Sequence, residues 1–349
     1  MGHYLGFFGG RGAGAVAACL ALSLGLAGPC FAEGGSRALG PLTLRAHSPA
    51  TILRLSPTPE VPTLAAPGTW RIAELVSWTN YFDYDPERYI VDAEAVRFAT
   101  RVAYGAGERL ELGLELPFSH RGGGVLDATI ERFHRAFSLS NGQRETQPRN
   151  QYRVWIKGSE GRPDFELRDG QAGWGTEDLI ASARFCLLEE CGASESLIAT
   201  VLVKLPSVRA PTLYSTGGLD TGASLSAAKG IGRFTWYGMA AVMRYGQTSE
   251  IPLTLNRWQY SAFAAAEYSL SPQTSLLLQL LATSPTAKGF GDFGRWSLEA
   301  AFGLKRRLWQ TWFVEFGILE NLLIYDNSPD VGLHLGLTWR QRPSRALGP

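Results

Sequence analysis

Four short motifs in this chain have the residue types and spacing for chemistry. Glu131 and His134 form a Glu-x-x-His pair, as in carboxylate-bridged metal bundles. Such bundles draw further carboxylates from other helices, and the chain has no second copy of the motif, so no metal site is expected. Gly289-Phe290-Gly291-Asp292-Phe293-Gly294 spells a dinucleotide fingerprint, but it follows no parallel strand and opens no helix. It reads as a glycine-rich loop, and no cofactor is expected. Leu219-Asp220-Thr221-Gly222-Ala223-Ser224 matches the string that carries one carboxylate of an aspartyl dyad, yet it occurs once. Ser119-His120 are adjacent, which is not the geometry of a nucleophile and its base. A hydrolase would have to be assembled from separated strands, so the chain is not read as an enzyme.

The other charges are better explained by position in a strand. With Tyr104 set opposite Glu108 across a three-residue turn, Arg101 faces Glu111 and Arg97 faces Glu115, giving two cross-strand ion pairs on one polar face. Leu126, Ile130, Phe133 and Phe137 fall at spacings of four, three and four, the stripe of an amphipathic helix in a long loop. That helix is expected either to gate a passage or to cap a rim. Cys186 and Cys191 lie five apart across a turn, and an oxidising envelope would allow them to pair.

The elements that position these residues have period two. Leu110, Leu112, Leu114, Leu116 and Phe118 alternate with Glu111, Gly113, Glu115 and Pro117. The same alternation recurs at 179–187, 296–304 and 331–339. Strands of ten residues or more, aromatic residues crowding strand ends and short turns alternating with long loops favour a membrane barrel over a soluble sandwich. The expected fold is all-β: an antiparallel transmembrane β-barrel of about 12 to 14 strands with one amphipathic helix in a long loop. The short pieces at 150–158 and 164–168 account for the range.

Residues 1–32 read as a cleaved signal peptide, with Arg11, an apolar run of about 15 residues that is too short to span a bilayer, and cleavage after Ala32. Residues 33–68, with six prolines, read as an extended N-terminal lead-in, 69–340 as the barrel and 341–349 as a C-terminal tail. With 33 Lys+Arg against 32 Asp+Glu, nothing attracts nucleic acid. The expected partners are outer-membrane lipid and a small-molecule solute.

Gly40-Pro41-Leu42 with Pro49, Thr79-Asn80-Tyr81-Phe82, the stretch from Gly122 to Phe137 with Asn141-Gly142 and Arg144, Lys204-Leu205-Pro206, and Gly217-Gly218-Leu219-Asp220 carry a resemblance. The chain resembles a family of bacterial envelope proteins of unknown function and, more distantly, outer-membrane barrels linked to phenol degradation and hydrocarbon uptake. The resemblance implies a barrel passing small, even hydrophobic, solutes and supplies no catalytic residues. It departs at the end, where Trp339 is followed by ten residues rather than closing the chain. The expected function is an outer-membrane channel or passive transporter. A structural or adhesion barrel with a filled lumen is the alternative, and a barrel-embedded hydrolase ranks last.

Overall fold

Lipid on one side and a polar lumen on the other demand opposite chemistry at successive residues, and a strand answers because its side chains alternate between faces. The computed structural model describes residues 38–49, 51–138, 143–158, 161, 163–192, 195–208, 214–246, 255–288, 291–320 and 328–343. The expected signal peptide at 1–32, Asn141-Gly142, Gly289-Phe290 and residues from 344 lie outside the described residues. In chain order the elements are β1 (Trp70–Asp85), β2 (Tyr89–Gly107), β3 (Leu110–Gly122), α1 (Asp127–Phe137), β4 (Arg153–Ile156), β5 (Phe165–Arg168), β6 (Gly173–Thr176), β7 (Leu179–Cys186) and β8 (Glu195–Leu205). They continue as β9 (Asp220–Ile231), β10 (Phe234–Arg244), β11 (Trp258–Ser271), β12 (Thr274–Thr283), β13 (Ser297–Arg307), β14 (Trp312–Glu320) and β15 (Val331–Arg340).

β1, β2, β3 and β7 to β15 pair antiparallel with their neighbours, and the β1–β15 and β3–β7 pairings close them into a 12-stranded barrel. The short pieces β4, β5 and β6 extend the upper edges of β2 and β3 above the closed wall. Leu112, Leu114, Leu116 and Phe118 face outward on β3, as do Phe316 and Ile318 on β14 and Leu333, Leu335 and Leu337 on β15, all exposed. This apolar belt is far larger than a water-facing surface tolerates. Aromatic pairs flank it: Trp70 with Tyr104 (4.7 Å) and Phe234 with Tyr268 (5.0 Å) at one rim, Phe98 with Phe118 (4.9 Å) and Trp174 toward the other. No helix among the described residues is long and apolar enough to cross a membrane.

The short connections after β2, β9, β11 and β13 gather at one rim, with the β7–β8 connection, the start of β1 and the end of β15; those after β3, β8, β10, β12 and β14 gather at the opposite rim, with the three-residue β1–β2 turn. The β2–β3 register differs from the sequence expectation. Arg101 lies opposite Glu115 and Arg97 opposite Ser119, a shift of four residues, because β2 continues through Gly105-Ala106-Gly107 with a bulge before turning. Four is even, so the polar face is retained.

Candidate functional site

A 12-stranded barrel has a backbone diameter of roughly 24 Å by strand spacing and tilt, which leaves a bore wide enough for about two extended chains. That space is filled by residues 38–49 and 51–68. The segment enters at the short-turn rim, where Glu267 accepts the backbone N–H groups of Leu39 (2.8 Å) and Gly40 (3.0 Å). Climbing, Leu42 donates to Gln279 (3.1 Å), Thr43 to Glu315 (2.7 Å), and His47 and Ser48 to Glu299 (2.9 Å each). It reverses where Thr51 and Arg54 donate to the carbonyls of Ser48 and Thr51. Descending, Leu55 donates to Asp220 (3.1 Å), Ala65 donates to Glu111 (2.6 Å), and Gly68 pairs with Gly105 at the rim where it entered. The Arg45 guanidinium joins the two arms through Ser56 Oγ and the carbonyls of Thr51 and Arg54.

The chemistry of the hairpin explains this mode of binding. Its prolines remove N–H donors and keep it from joining the sheet, so the backbone donors that remain must be satisfied by side chains of the wall. Apolar contacts complete the fit. Leu42 and Leu44 pack on Leu277, Ala301 and Leu319, while Leu55 packs on Ile180, Leu202 and Met243. Gly317 is required by that approach, since a Cβ there would lie 2.7 Å from Leu42 Cδ1. Gly317→Val will therefore push the rising arm off the wall at a cost of about 1–3 kcal/mol. Limited proteolysis from the short-turn side should then cut within 38–66, and an uncut hairpin would contradict this packing. The spaces left beside the hairpin are small, about 50 Å³ next to Arg71 and Arg101 and about 30 Å³ next to Tyr237 and Phe263. Each has room for a few waters.

The lumen charges form networks rather than pairs. Arg97 binds Glu115 (2.6 Å) and Glu177 (2.8 Å). Arg101 binds Glu115 (3.1 Å) and Glu60 of the hairpin rather than Glu111. Glu111 takes Arg71 (2.5 Å) and Arg184 (2.8 Å) instead. Sequence reasoning missed Glu60, because a carboxylate among prolines in a lead-in carries no strand period to place it. Lys204 sits between Asp178 (2.6 Å) and Asp220 (3.5 Å), and Lys305 binds Glu315 (2.5 Å) while donating to the Pro41 carbonyl.

One constellation has the composition of a hydrolytic triad. His334 Nδ1 lies 3.2 Å from Ser77 Oγ, and its Nε2 lies 2.9 Å from Glu315. Acyl transfer also needs room for a carbonyl and donors for its oxyanion. Here the neighbouring backbone belongs to the β1–β15 and β14–β15 ladders, and Leu42-Thr43 occupies the lumen side. The three side chains support the hairpin through Glu315.

The loop helix lies elsewhere. Its leading N–H groups at Val125 (2.8 Å) and Leu126 dock on Glu94, and Asp127 accepts from Asn80 (3.2 Å). Asn80 and Glu94 share the strand face of Val76, Trp78, Val96 and Phe98, so α1 leans on the outside of the barrel above the belt. Its buried face is Asp127, Ile130, Glu131 and His134, not the expected apolar stripe; Phe133 is 41% exposed, Leu126 is half-buried at the helix start, and Phe137 ends the helix. Arg149 and Arg144 supply the reason, by pairing with Glu131 (Nε, 2.9 Å) and Asp127. The hydrogen bond from Arg149 holds the Glu131 carboxyl below the usual carboxylate range. Cys186 and Cys191 are joined by a disulfide across the β7–β8 connection.

A closed antiparallel wall, an apolar outer belt and a charged lumen define the class: a transmembrane β-barrel of the outer-membrane type. Within that class the chain belongs to the family described as Protein of unknown function (DUF3187), matched over residues 33–341. No curated protein matches it in sequence. Among solved structures it is similar to an outer-membrane channel from Pseudomonas putida F1, with 15% identity over 81% of this chain and 99% of that one and a TM-score of 0.53. It is less similar to the NanC porin (7% identity, 78% and 100% covered, TM-score 0.43) and the CymD monoaromatic hydrocarbon channel (10%, 80% and 90%, 0.36). These likenesses are of fold.

Proposed function

We propose that this chain forms an outer-membrane channel for small solutes that its own N-terminal hairpin closes at rest. The observation that carries this reading is the way the bore is closed. The occupant is a peptide hairpin that runs through Thr69 into β1 and is held by side chains of the wall, which accept from its N–H groups and pair with its Glu60, while strand pairing is confined to its exit at Gly105. Withdrawing it leaves a lumen lined by buried charged networks together with apolar patches at Leu277, Leu319, Leu202 and Met243.

Single-channel conductance in planar bilayers tests the reading on the full mature chain and on Glu267→Gln/Glu299→Gln. Each substitution weakens a charged acceptor of two backbone donors; together they should cost about 2 kcal/mol and raise the open-to-closed ratio roughly thirtyfold. The wild type should show rare openings and the variant frequent ones. A second reading, a structural or adhesion barrel with a permanently filled lumen, is favoured by the burial of Leu42, Leu44 and Leu55 in apolar clusters. Silence from both proteins, with insertion shown by heat-modifiable migration, would select it.

A further inference from the structure

The wall from β11 to β14 treats the hairpin as a row of hydrogen-bond donors. Glu267, Gln279, Glu315 and Glu299 accept from residues 39, 40, 42, 43, 47 and 48, a stretch of extended chain roughly 23 Å long between Gly40 and His47. Among the described residues neither Glu267 nor Glu299 has a cation at ion-pair distance, so both carboxyl groups are met by neutral donors, with Tyr237 adding one to Glu267. A second feature of the same wall is independent of these carboxylates. Ser261 Oγ on β11 and Ser275 Oγ on β12 are buried, face the lumen and have no hydrogen-bond partner among the described residues. The wall thus carries polar atoms that its peptide occupant leaves unused.

A backbone N–H on a carboxylate already makes a charge-assisted hydrogen bond, and an ammonium donor adds the attraction of a full opposite charge, which is strong in a lumen shielded from bulk water. An ammonium group would therefore be a better partner for Glu267 or Glu299 than the backbone N–H groups now seated there, and a chain of amines could follow the same extended path. We infer that the β11–β14 wall is a recognition track for linear, amine-bearing cations, which compete with the hairpin for Glu267 and Glu299 and so favour the open lumen. The inference deepens the channel reading above by naming the solute class that this lumen would hold.

The test uses the full chain in lipid vesicles, spermine as the probe and amide hydrogen exchange as the readout. Spermine should speed exchange of the Leu39 to Ser48 amides by about fivefold or more, by shifting the population with a released hairpin. Citrate at equal ionic strength should not. In Glu267→Gln/Glu299→Gln, basal exchange should be faster and its response to spermine lost. Exchange unmoved by spermine in the wild type, or moved equally in the variant, overturns the inference. Conductance recorded in parallel separates the two claims: a spermine response in a barrel that never conducts keeps the track and removes the channel, whereas conduction without a spermine response does the reverse.

Discussion

Arg97→Leu will lower the unfolding free energy of the barrel in lipid vesicles by about 3–5 kcal/mol, the cost of stranding buried charge. The Arg97 guanidinium donates to Glu115 at 2.6 Å and to Glu177 at 2.8 Å, and all three side chains are at most 7% exposed. Removing it leaves Glu115 with Arg101 at 3.1 Å, but Glu177 with only Arg121 at 3.7 Å. The loss comes mainly from the uncompensated Glu177 carboxylate, not from the net worth of the ion pair. Arg97→Leu/Glu177→Leu should therefore recover about half of it or more, since removing both partners withdraws the stranded charge. Urea titration of reversible folding, followed by tryptophan fluorescence, reads both values. A single-variant loss below about 1 kcal/mol would mean that water reaches the network and screens it, contrary to its burial.

The strands were legible because lipid and lumen impose opposite chemistry at every step. At 110–118 and 331–339 the outward residues are Leu, Phe and Trp, whereas Glu111, Glu115 and His334 point in. The β2–β3 pairing was harder, because Gly105 and Gly107 read as the turn itself, while Gly105 is a strand residue on which the hairpin exits. A Cβ there would lie 2.1 Å from the Ala66 carbonyl oxygen. The hairpin was illegible as a lumen filler for a physical reason. It pairs with side chains scattered from β3 to β14 rather than with a neighbouring strand, so no local period records its partners. The helix was placed correctly in sequence, but its docking face keeps Ile130 of the apolar stripe, leaves Phe133 out and adds Asp127, Glu131 and His134. Its spacing shows which residues are apolar, yet its docking is decided by Arg144 and Arg149, distant in sequence, which reward Asp127 and Glu131 instead.

Arg144→Met will release the long loop without opening the lumen. Arg144 is buried on the outer side of the barrel, donating to Asn80 Oδ1 of β1 at 2.7 Å, pairing with Asp127 of α1 and Asp330 before β15, and lying over the Phe82 ring at 4.6 Å. One guanidinium thus ties three stretches of chain, and methionine keeps roughly its volume while taking the cation from two carboxylates, a local loss of about 3–5 kcal/mol. That loss should appear as protease cleavage within 123–152 from the long-loop side, because opening this segment need not unfold the barrel. A loop that stays resistant would mean that the Glu94 contacts to Val125 and Leu126, with Asn80 on Asp127 and Arg149 on Glu131, hold it without Arg144. Conductance decides which element closes the bore. The helix rests against the outward face of β1 and β2, whereas the hairpin fills the lumen, so the cleaved variant should open no more often than wild type. Frequent opening on release of the loop would transfer the gate from the hairpin to the helix.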